Sequence, residues 1–382
     1  MQLELTKLLS CPECKGDIDM SKTIEKIKQN NFEFIKSGIL TCRNCGARYP
    51  IIERIPRLLK GNYQTLREKE KLKEYNNLNL TKPKSTYSPT IDGNEKYEVI
   101  EKMVVQKLKP ERIKSKKLKE RLRHDIEYRV YYSAKKEKFV KTCIPYMTHK
   151  PEVVVDVGGG HGGTISCFRR HFNPKISILL DLDITWAKIA LIRDPMTNVI
   201  RGDAANIPLK DQSADLLITT ATLEHIKDWK NVIKELARVS KNALVAYGPN
   251  KWFPYDLGHI DAPFVTFLPK GIALPIAYVF HELRKTGRSY DSIKKELNST
   301  YFISRHQVVK ILEKYGDVKN VFSEFIYHSI RSDYHYIGGE FKNFLKLHPI
   351  ISHFFSNLLT LLGIEPSVYL FFKRSNQQSK KG

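Results

Sequence analysis

The chain of 382 residues has no uninterrupted apolar run long enough to cross a bilayer. Its two most apolar stretches, residues 264–280 and 349–372, are both interrupted by prolines and by polar side chains. The first ten residues also lack the apolar core of a secretory signal. These absences predict a cytoplasmic protein that has no transmembrane helix and meets a membrane only at its surface, if at all.

Acidic residues are scarce relative to basic ones. Asp and Glu number 41 against 64 Lys and Arg, which gives a formal net charge of +23. Residues 102–141 alone contain fifteen Lys or Arg and five Asp or Glu. Such a segment is either a solvated helical face or a patch for a polyanion, which would be RNA or an anionic membrane surface. Both interpretations stay open at this stage.

Cysteine is also rare, and four of the six cysteines form two Cys-x-x-Cys pairs. The pairs are Cys11 with Cys14 and Cys42 with Cys45, separated by the 27 residues 15–41. Four thiolates close the tetrahedral shell of a structural zinc ion and leave no open position for chemistry. Disulfides are less favoured, because no secretion signal indicates an oxidising compartment. The sequence therefore predicts a structural zinc site.

The most informative stretch is a strand followed by glycines. Residues 153–157 are β-branched except for Asp156, and Gly158, Gly159 and Gly160 follow directly. This spacing also fits a dinucleotide site, so the glycines alone do not identify the ligand. A carboxylate two residues before the first glycine repels a pyrophosphate but attracts the sulfonium and ammonium of S-adenosylmethionine. We therefore predict an S-adenosylmethionine site that includes Asp156 and the three glycines.

From residue 153 to residue 250 the order of motifs resembles that of the class I methyltransferases. A strand with acidic residues at its end follows the glycine turn, then a Gly-Asp-Ala loop at 202–204, then a strand that leads into Leu-Glu-His at 223–225. The resemblance implies an α/β fold with a doubly wound, mostly parallel sheet of seven strands. It also implies that the last two strands form an antiparallel pair, which we expect at residues 320–330 and 367–373.

The same resemblance implies roles for several residues. Asp183 is expected to hold the ribose hydroxyls, with Asp181 as the alternative if the register slips by one strand period. Asp203 and Ala204 are expected to contact the adenine through a carboxylate and a backbone N–H. Thr220, at the end of the fourth strand, completes the predicted cofactor-binding set.

Residues 252–264 follow the fifth strand and combine aromatic residues, prolines and a histidine. They are similar to a segment of methyltransferases that act on glycan-, quinone- or lipid-linked acceptors. An acceptor hydroxyl or amine must lose a proton, and His259 is the candidate general base. Alternatively His259 fixes a loop, or positioning alone suffices for methyl transfer. Glu224 and His225 are expected to shape the approach of the acceptor.

The cysteine segment, residues 8–59, resembles the zinc ribbon of the small activator subunit that partners several tRNA, rRNA and release-factor methyltransferases. The ribbon should unfold on chelation while the catalytic domain persists. The predicted organisation has four parts. These parts are a zinc ribbon at 1–60, a basic and partly helical linker with a lead-in helix at 61–150, a methyltransferase domain at 151–375 with insertions at about 251–300 and 331–366, and a polar tail, expected to be disordered, at 376–382.

Three functions fit these predictions. The first is a methyltransferase for a small or a lipid- or glycan-linked acceptor, with peripheral membrane contact through residues 264–280 and 341–364. The second is an RNA methyltransferase that uses the basic segment 102–141. The third is a non-catalytic zinc-ribbon scaffold that binds the cofactor or a protein partner.

Overall fold

A computed structural model of the chain describes residues 1–29, 32–61, 64–78, 83–87, 93–109, 122–123, 126–127, 129–130, 136–256, 258–330 and 349–375. The chain divides into two compact units. The first comprises Met1–Lys107, Lys150–Leu217 and Arg238–Lys241, and the second comprises Leu108–His149, Ile218–Ala237 and Asn242–Gly382. This division runs through the predicted methyltransferase segment, so the domain boundaries given above stay a prediction.

The first unit contains a strand-rich N-terminal part and the beginning of the α/β part. Its strands are β1 (Ile18–Gln29), β2 (Phe32–Cys42), β3 (Arg48–Ile52), β4 (Ile55–Leu58), β5 (Lys84–Tyr87), β6 (Val153–Val157), β7 (Ile176–Asp181) and β8 (Asn198–Gly202). Its helices are α1 (Leu66–Asn77), α2 (Gly93–Leu108), α4 (Gly163–Phe172) and α5 (Ile184–Arg193), and α3 (Glu137–Cys143) belongs to the second unit.

Strand β9 (Leu216–Thr220) leads into the second unit, where β10 (Asn242–Tyr247), β11 (Gly316–Asn320) and β12 (Val368–Arg374) follow. The helices of this unit after α3 are α6 (Trp229–Val239), α7 (Lys270–Leu283), α8 (Tyr290–Ser299), α9 (Arg305–Leu312), α10 (Phe322–Ile330) and α11 (Pro349–Leu362). Helices α7 and α8 share a buried apolar cluster that includes Ala273, Ala277, Ile293 and Leu297.

Within the first unit the strands lie in the order β6-β7-β8-β4-β3-β2-β1-β5. Strands β6, β7 and β8 are parallel, as a buried run of β-branched residues in β6 predicts. Within the second unit the order is β9-β10-β12-β11, and β12 runs antiparallel to both of its neighbours. The predicted α/β class with a parallel core is therefore confirmed.

The N-terminal strands join the α/β part through one pair of strands. Strand β4 runs parallel to β8, with Arg57 opposite Arg201 and Leu58 opposite Gly202. Glu68, which is buried at the start of α1, accepts a hydrogen bond from Arg201 and lies 3.8 Å from Arg57 Nε. A capping box between Thr65 and Glu68 begins α1 and fixes this carboxylate.

One of the two predicted C-terminal strands is wrong in position. The sixth strand was expected at residues 320–330, but β11 ends at Asn320 and residues 322–330 form α10. The Asn320 side chain accepts a hydrogen bond from the backbone N–H of Phe322 and starts the helix. Phe322 and Phe325 are both buried, which is the spacing of a helix face rather than of a strand. The predicted seventh strand is confirmed as β12.

Candidate functional site

The glycine turn after β6 has the backbone geometry that the sequence predicts. Gly158 donates its N–H to the carbonyl of Leu180 at 2.8 Å, which ties the turn to β7. Gly160 has a φ of +52°, and a Cβ built there would meet no protein atom within 4 Å. The backbone at Gly160 is therefore open on the side where a ligand can approach closely. At Gly162 the φ is +78° and a Cβ would lie 2.8 Å from Ala190, so only glycine fits where α4 begins.

The two acidic residues at the end of β7 differ in their surroundings. Asp181 accepts hydrogen bonds from the backbone N–H groups of Gly160, at 2.9 Å, and of Asp183, at 2.8 Å. Burial raises the pKa of Asp181, against the effect of these two donors. Asp183 caps α5 by accepting from the N–H groups of Thr185 and Trp186 and pairs with Lys107. The structure thus places Asp181, the alternative of the two, against the glycine turn.

The remaining predicted cofactor residues lie on loops at strand ends. Asp156 is buried, and a Cβ on Gly159 would lie 2.7 Å from its carboxylate, so the turn passes close over it. Asp203 follows β8 and accepts a hydrogen bond from the N–H of Ala205 at 2.9 Å, while Ala204 is buried in the short 3-10 helix that begins there. Thr220 ends β9 and is half-buried.

Three predicted catalytic residues come together within the second unit. Glu224 and His225 lie on a short 3-10 helix after β9, and His259 lies on the segment after β10. One ligand atom from each of the three side chains lies within 4.8 Å of the others. Glu224 is 1% exposed, His259 is half-buried and His225 is exposed, so the cluster opens to solvent on one side. Its carboxylate is therefore held inside while its imidazoles remain accessible.

The electrostatics of the cluster follow from burial and mutual charge. Burial raises the pKa of Glu224 to about 7, although backbone N–H groups and His259 act in the opposite direction. Desolvation and the neighbouring His259 lower the pKa of His225. Burial also lowers the pKa of His259, but the carboxylates of Asp256 and Glu224 outweigh it, so that this pKa is raised. Asp256 Oδ1 lies 3.6 Å from His259 Nδ1, too far for a short hydrogen bond.

Other residues, which sequence reasoning missed, fix the backbone around His259. Asp256 is fully buried and accepts from the backbone N–H groups of His259 and Ile260. Arg288 donates to the carbonyls of His259, at 2.7 Å, and Ile260, at 3.0 Å, and His281 Nε2 lies 2.7 Å from the latter carbonyl. These hydrogen bonds all involve backbone atoms of the loop, so the loop has supports other than the His259 ring. The sequence could have indicated the role of Asp256, because this residue lies three positions before His259. Nothing near Arg288 in the sequence indicates that it contacts this segment.

Both segments that form the cluster contain left-handed backbone at residues other than glycine. Ala221, three residues before Glu224, has a φ of +54°, and Asp261 and Phe264 have φ values of +59° and +62°. Such conformations carry strain that the surrounding structure must hold, and they concentrate at functional sites. Ala221 is held by a hydrogen bond from its N–H to the carbonyl of Ala246 at 3.0 Å.

The four predicted zinc ligands also converge. Cys11 Sγ lies 3.7 Å from Cys45 Sγ, and Cys14 Sγ lies 3.5 Å from Cys42 Sγ. Zinc–sulfur bonds of about 2.3 Å in a tetrahedron separate the sulfurs by about 3.8 Å, so the cluster fits a zinc ion. The hydroxyl of Tyr49 lies 3.1 Å from Cys11 Sγ, where it can support a thiolate. The site is structural, since four cysteines leave no open position.

The cysteine pairs also lie against the loop that follows Asp203. Four hydrogen bonds connect them: Ser10 N–H to Pro208 carbonyl (3.1 Å), Lys210 N–H to Leu8 carbonyl (2.9 Å), Asn206 Nδ2 to Pro12 carbonyl (2.7 Å) and Lys15 Nζ to Ile207 carbonyl (3.2 Å). The ribbon therefore supports the loop that is predicted to contact adenine.

Within the described ranges, every helix falls short of the length and apolarity that a bilayer span requires. Half of the basic segment 102–141, and residues 341–348 of the segment predicted to touch a membrane, lie outside the described residues.

The parallel strands, the glycine turn and the strand-end carboxylates define a class I methyltransferase domain, and the four-cysteine cluster defines a zinc ribbon. Comparison with known families agrees with both assignments. Residues 155–243 match the model of a methyltransferase domain, and residues 2–53 match the model of Trm112p-like proteins. The chain thus carries an S-adenosylmethionine-dependent methyltransferase domain behind an N-terminal Trm112p-like ribbon with a four-cysteine site.

Several characterised proteins are similar to part of the chain. Malonyl-[acyl-carrier protein] O-methyltransferase of Marinomonas sp. is 31% identical over 96 residues, which cover 24% of this chain and 36% of that protein. Phthiotriol/phenolphthiotriol dimycocerosates methyltransferase of Mycobacterium tuberculosis is 29% identical over 117 residues, 28% of this chain and 41% of that protein. The chain therefore spans well under half the length of these relatives.

Among solved structures, geranyl diphosphate C-methyltransferase from Streptomyces coelicolor, which was crystallised with S-adenosyl-L-homocysteine, aligns with a TM-score of 0.35 and 11% identity. The alignment covers 64% of this chain and 76% of that one.

Proposed function

We propose that the chain transfers a methyl group from S-adenosylmethionine to an acceptor that is small or carried on a lipid or glycan. The observation that supports this most directly is the convergence of Glu224, His225 and His259 in a chain with a methyltransferase domain. The names of the two relatives above specify malonyl-[acyl-carrier protein] and phthiotriol/phenolphthiotriol dimycocerosates as substrates. Acceptors of this class are therefore the first to test.

On the cofactor side we assign roles by position. S-adenosylmethionine supplies an electrophilic methyl group when it is bound. Asp181 accepts from the ribose hydroxyls, and Asp203 accepts from the adenine amine while the backbone N–H of Ala204 faces the ring. The carboxylate of Asp156 favours a cationic ligand over an anionic dinucleotide. The open backbone at Gly160 leaves room for the ligand.

On the acceptor side the cluster handles the proton that methyl transfer releases. The acceptor oxygen or nitrogen forms a bond to the methyl carbon, the carbon–sulfur bond breaks with its electron pair on sulfur, and the acceptor proton leaves. Glu224, His225 and His259 lie together in a site that is open on one side, so they can receive this proton or orient the acceptor.

An apolar surface on α11 supports a lipid-linked acceptor and peripheral membrane contact. Large apolar side chains are exposed at positions that share one helix face: Phe354, Phe355, Leu358, Leu361 and Leu362, of which Leu361 is 81% exposed. The opposite face carries Ser356, which is buried, and Asn357, which accepts from Ser323 at 2.6 Å. A helix with its apolar face outward fits a lipid surface, and the net charge of +23 favours anionic lipid.

The test is methyl transfer from labelled S-adenosylmethionine to fractionated cell extract. We expect label in the organic-extractable or small-molecule fraction. Label found only in tRNA or rRNA, with binding that weakens steeply as salt rises, would make the chain an RNA methyltransferase instead. Cofactor binding with no label in any fraction would favour the non-catalytic scaffold.

Gly160→Ala provides the inactive control. Its methyl group meets no protein atom within 4 Å, so it obstructs the ligand while the fold keeps its contacts. The backbone strain that alanine adds at positive φ is reproduced by Gly363→Ala, where φ is +71° and the nearest atom lies at 3.6 Å. We expect transfer to be lost in the first variant and kept in the second.

A further inference from the structure

One oxygen of the buried Glu224 carboxylate lacks a hydrogen-bond partner. Its Oε2 atom is inaccessible to solvent, and in the described part of the chain no hydrogen-bond donor reaches it. A buried acceptor without a donor costs about 1–3 kcal/mol, and more when it is charged. A ring nitrogen of His225 and one of His259 lie within 4.8 Å of a carboxylate oxygen of Glu224. A cation between the three would satisfy the carboxylate.

The donor set indicates which kind of cation fits. Two imidazoles and one carboxylate suit first-row transition metals such as zinc, iron, cobalt or manganese, whereas magnesium and calcium prefer oxygen ligands alone. Bonds of about 2.1 Å in a tetrahedron separate the ligand atoms by about 3.4 Å. The three ligand atoms lie within 4.8 Å of one another, so side-chain movements of roughly 1 Å bring them to the distances that a bound ion requires. Three protein ligands leave coordination positions open.

The surroundings of His259 match those of a metal ligand. Because Asp256, Arg288 and His281 fix the backbone of this segment, the His259 ring is not needed as a structural pin. The carboxylate of Asp256 lies 3.6 Å from Nδ1, about 0.6 Å beyond hydrogen-bond distance, so a small movement on metal binding would let it orient the ring, as carboxylates do for many metal-bound histidines. The exposed His225 provides the route by which an ion enters.

We infer that Glu224, His225 and His259 bind one divalent transition-metal cation, whose open positions take an oxygen of the methyl acceptor. The coordination of an acceptor oxygen rests on the proposed function. Metal binding by the three side chains does not, and it can be tested without catalysis. A bound cation favours the deprotonated, nucleophilic form of a hydroxyl group. The acceptor class is then an alcohol, phenol or enol. His259 acts as a ligand instead of a free base, and the hydroxyl proton passes to water on the open side of the cluster.

Mn²⁺ titration followed by electron paramagnetic resonance is the direct test. The full chain is prepared with zinc in the ribbon, and Mn²⁺ is used because it is the weakest binder of the first-row series and does not displace zinc from thiolates. We expect one equivalent of Mn²⁺ to bind. His225→Ala and His259→Ala should each weaken binding at least about 100-fold, and Asp256→Asn by roughly 10- to 100-fold.

His306→Ala is the matched control, because this histidine is exposed on α9 of the same unit and lies outside the cluster. If circular dichroism and thermal melting show that His259→Ala does not fold, His259→Gln is used in its place. Absence of Mn²⁺ binding by the wild-type chain, or binding that all variants retain, would overturn the inference. Mn²⁺ binding that follows the expected pattern without methyl transfer to any fraction would establish the metal site and remove the proposed function.

Discussion

Removing zinc from the ribbon should weaken cofactor binding by the methyltransferase domain. The ribbon segment and the loop after Asp203 share four hydrogen bonds between 2.7 and 3.2 Å. At about 1 kcal/mol each, they contribute on the order of 4 kcal/mol to the order of that loop. If ion loss disrupts half of them, S-adenosylmethionine affinity falls by about 2 kcal/mol, or roughly 30-fold.

The measurement is calorimetric titration of S-adenosylmethionine into wild-type protein, into protein stripped by a chelator, and into Cys14→Ser. We expect the stripped protein and Cys14→Ser both to bind S-adenosylmethionine more weakly than the wild type. Added zinc should restore the affinity of the stripped wild type but not that of Cys14→Ser, which lacks one zinc ligand. The sequence predicted that the catalytic domain persists after chelation, and circular dichroism should still show its helices. Unchanged S-adenosylmethionine affinity in fully zinc-free protein would refute the reasoning, because the four hydrogen bonds would then not couple the ribbon to cofactor binding.

Three further outcomes follow from the same contacts. Glu68→Ala should destabilise the protein by about 3–5 kcal/mol in urea unfolding because it leaves the buried Arg57 and the half-buried Arg201 uncompensated, whereas the exposed Glu70→Ala on the same helix should change it by less than about 0.5 kcal/mol. Asp181→Asn should weaken S-adenosylmethionine binding more than Asp183→Asn does, and a larger loss in Asp183→Asn would return the ribose role to Asp183. Ala221→Gly should raise the melting temperature by relieving positive φ, and a lower one would show that the strain is absent.

Local patterns predicted the parts of the fold that local chemistry determines. The β-branched run before the glycines predicted β6, and the two cysteine pairs predicted a four-thiolate cluster. The Leu-Glu-His motif predicted that Glu224 and His225 lie at a strand end. The strand and the Leu-Glu-His motif are each contained in a few consecutive residues, and each cysteine pair is recognisable alone, although the two pairs lie 27 residues apart.

Distant contacts decided the features that the sequence did not predict. Asp181 and Asp183 are one strand period apart, and only the end of β7 at Asp181 shows which of them faces the glycine turn. Arg288 reaches the His259 carbonyl from 29 residues away. The parallel pairing of β4 with β8 joins residues 57 and 201, and neither strand carries a signal for the other.

The pairing of β4 with β8 determines whether a strand of another polypeptide can pair with β8. A sheet edge offers unpaired N–H and C=O groups to any strand of suitable shape, and on β8 those groups already face Arg57 and Leu58 of the same polypeptide. Tethering keeps this neighbour at a high local concentration at every expression level. A strand from another polypeptide would therefore find this edge of β8 already paired.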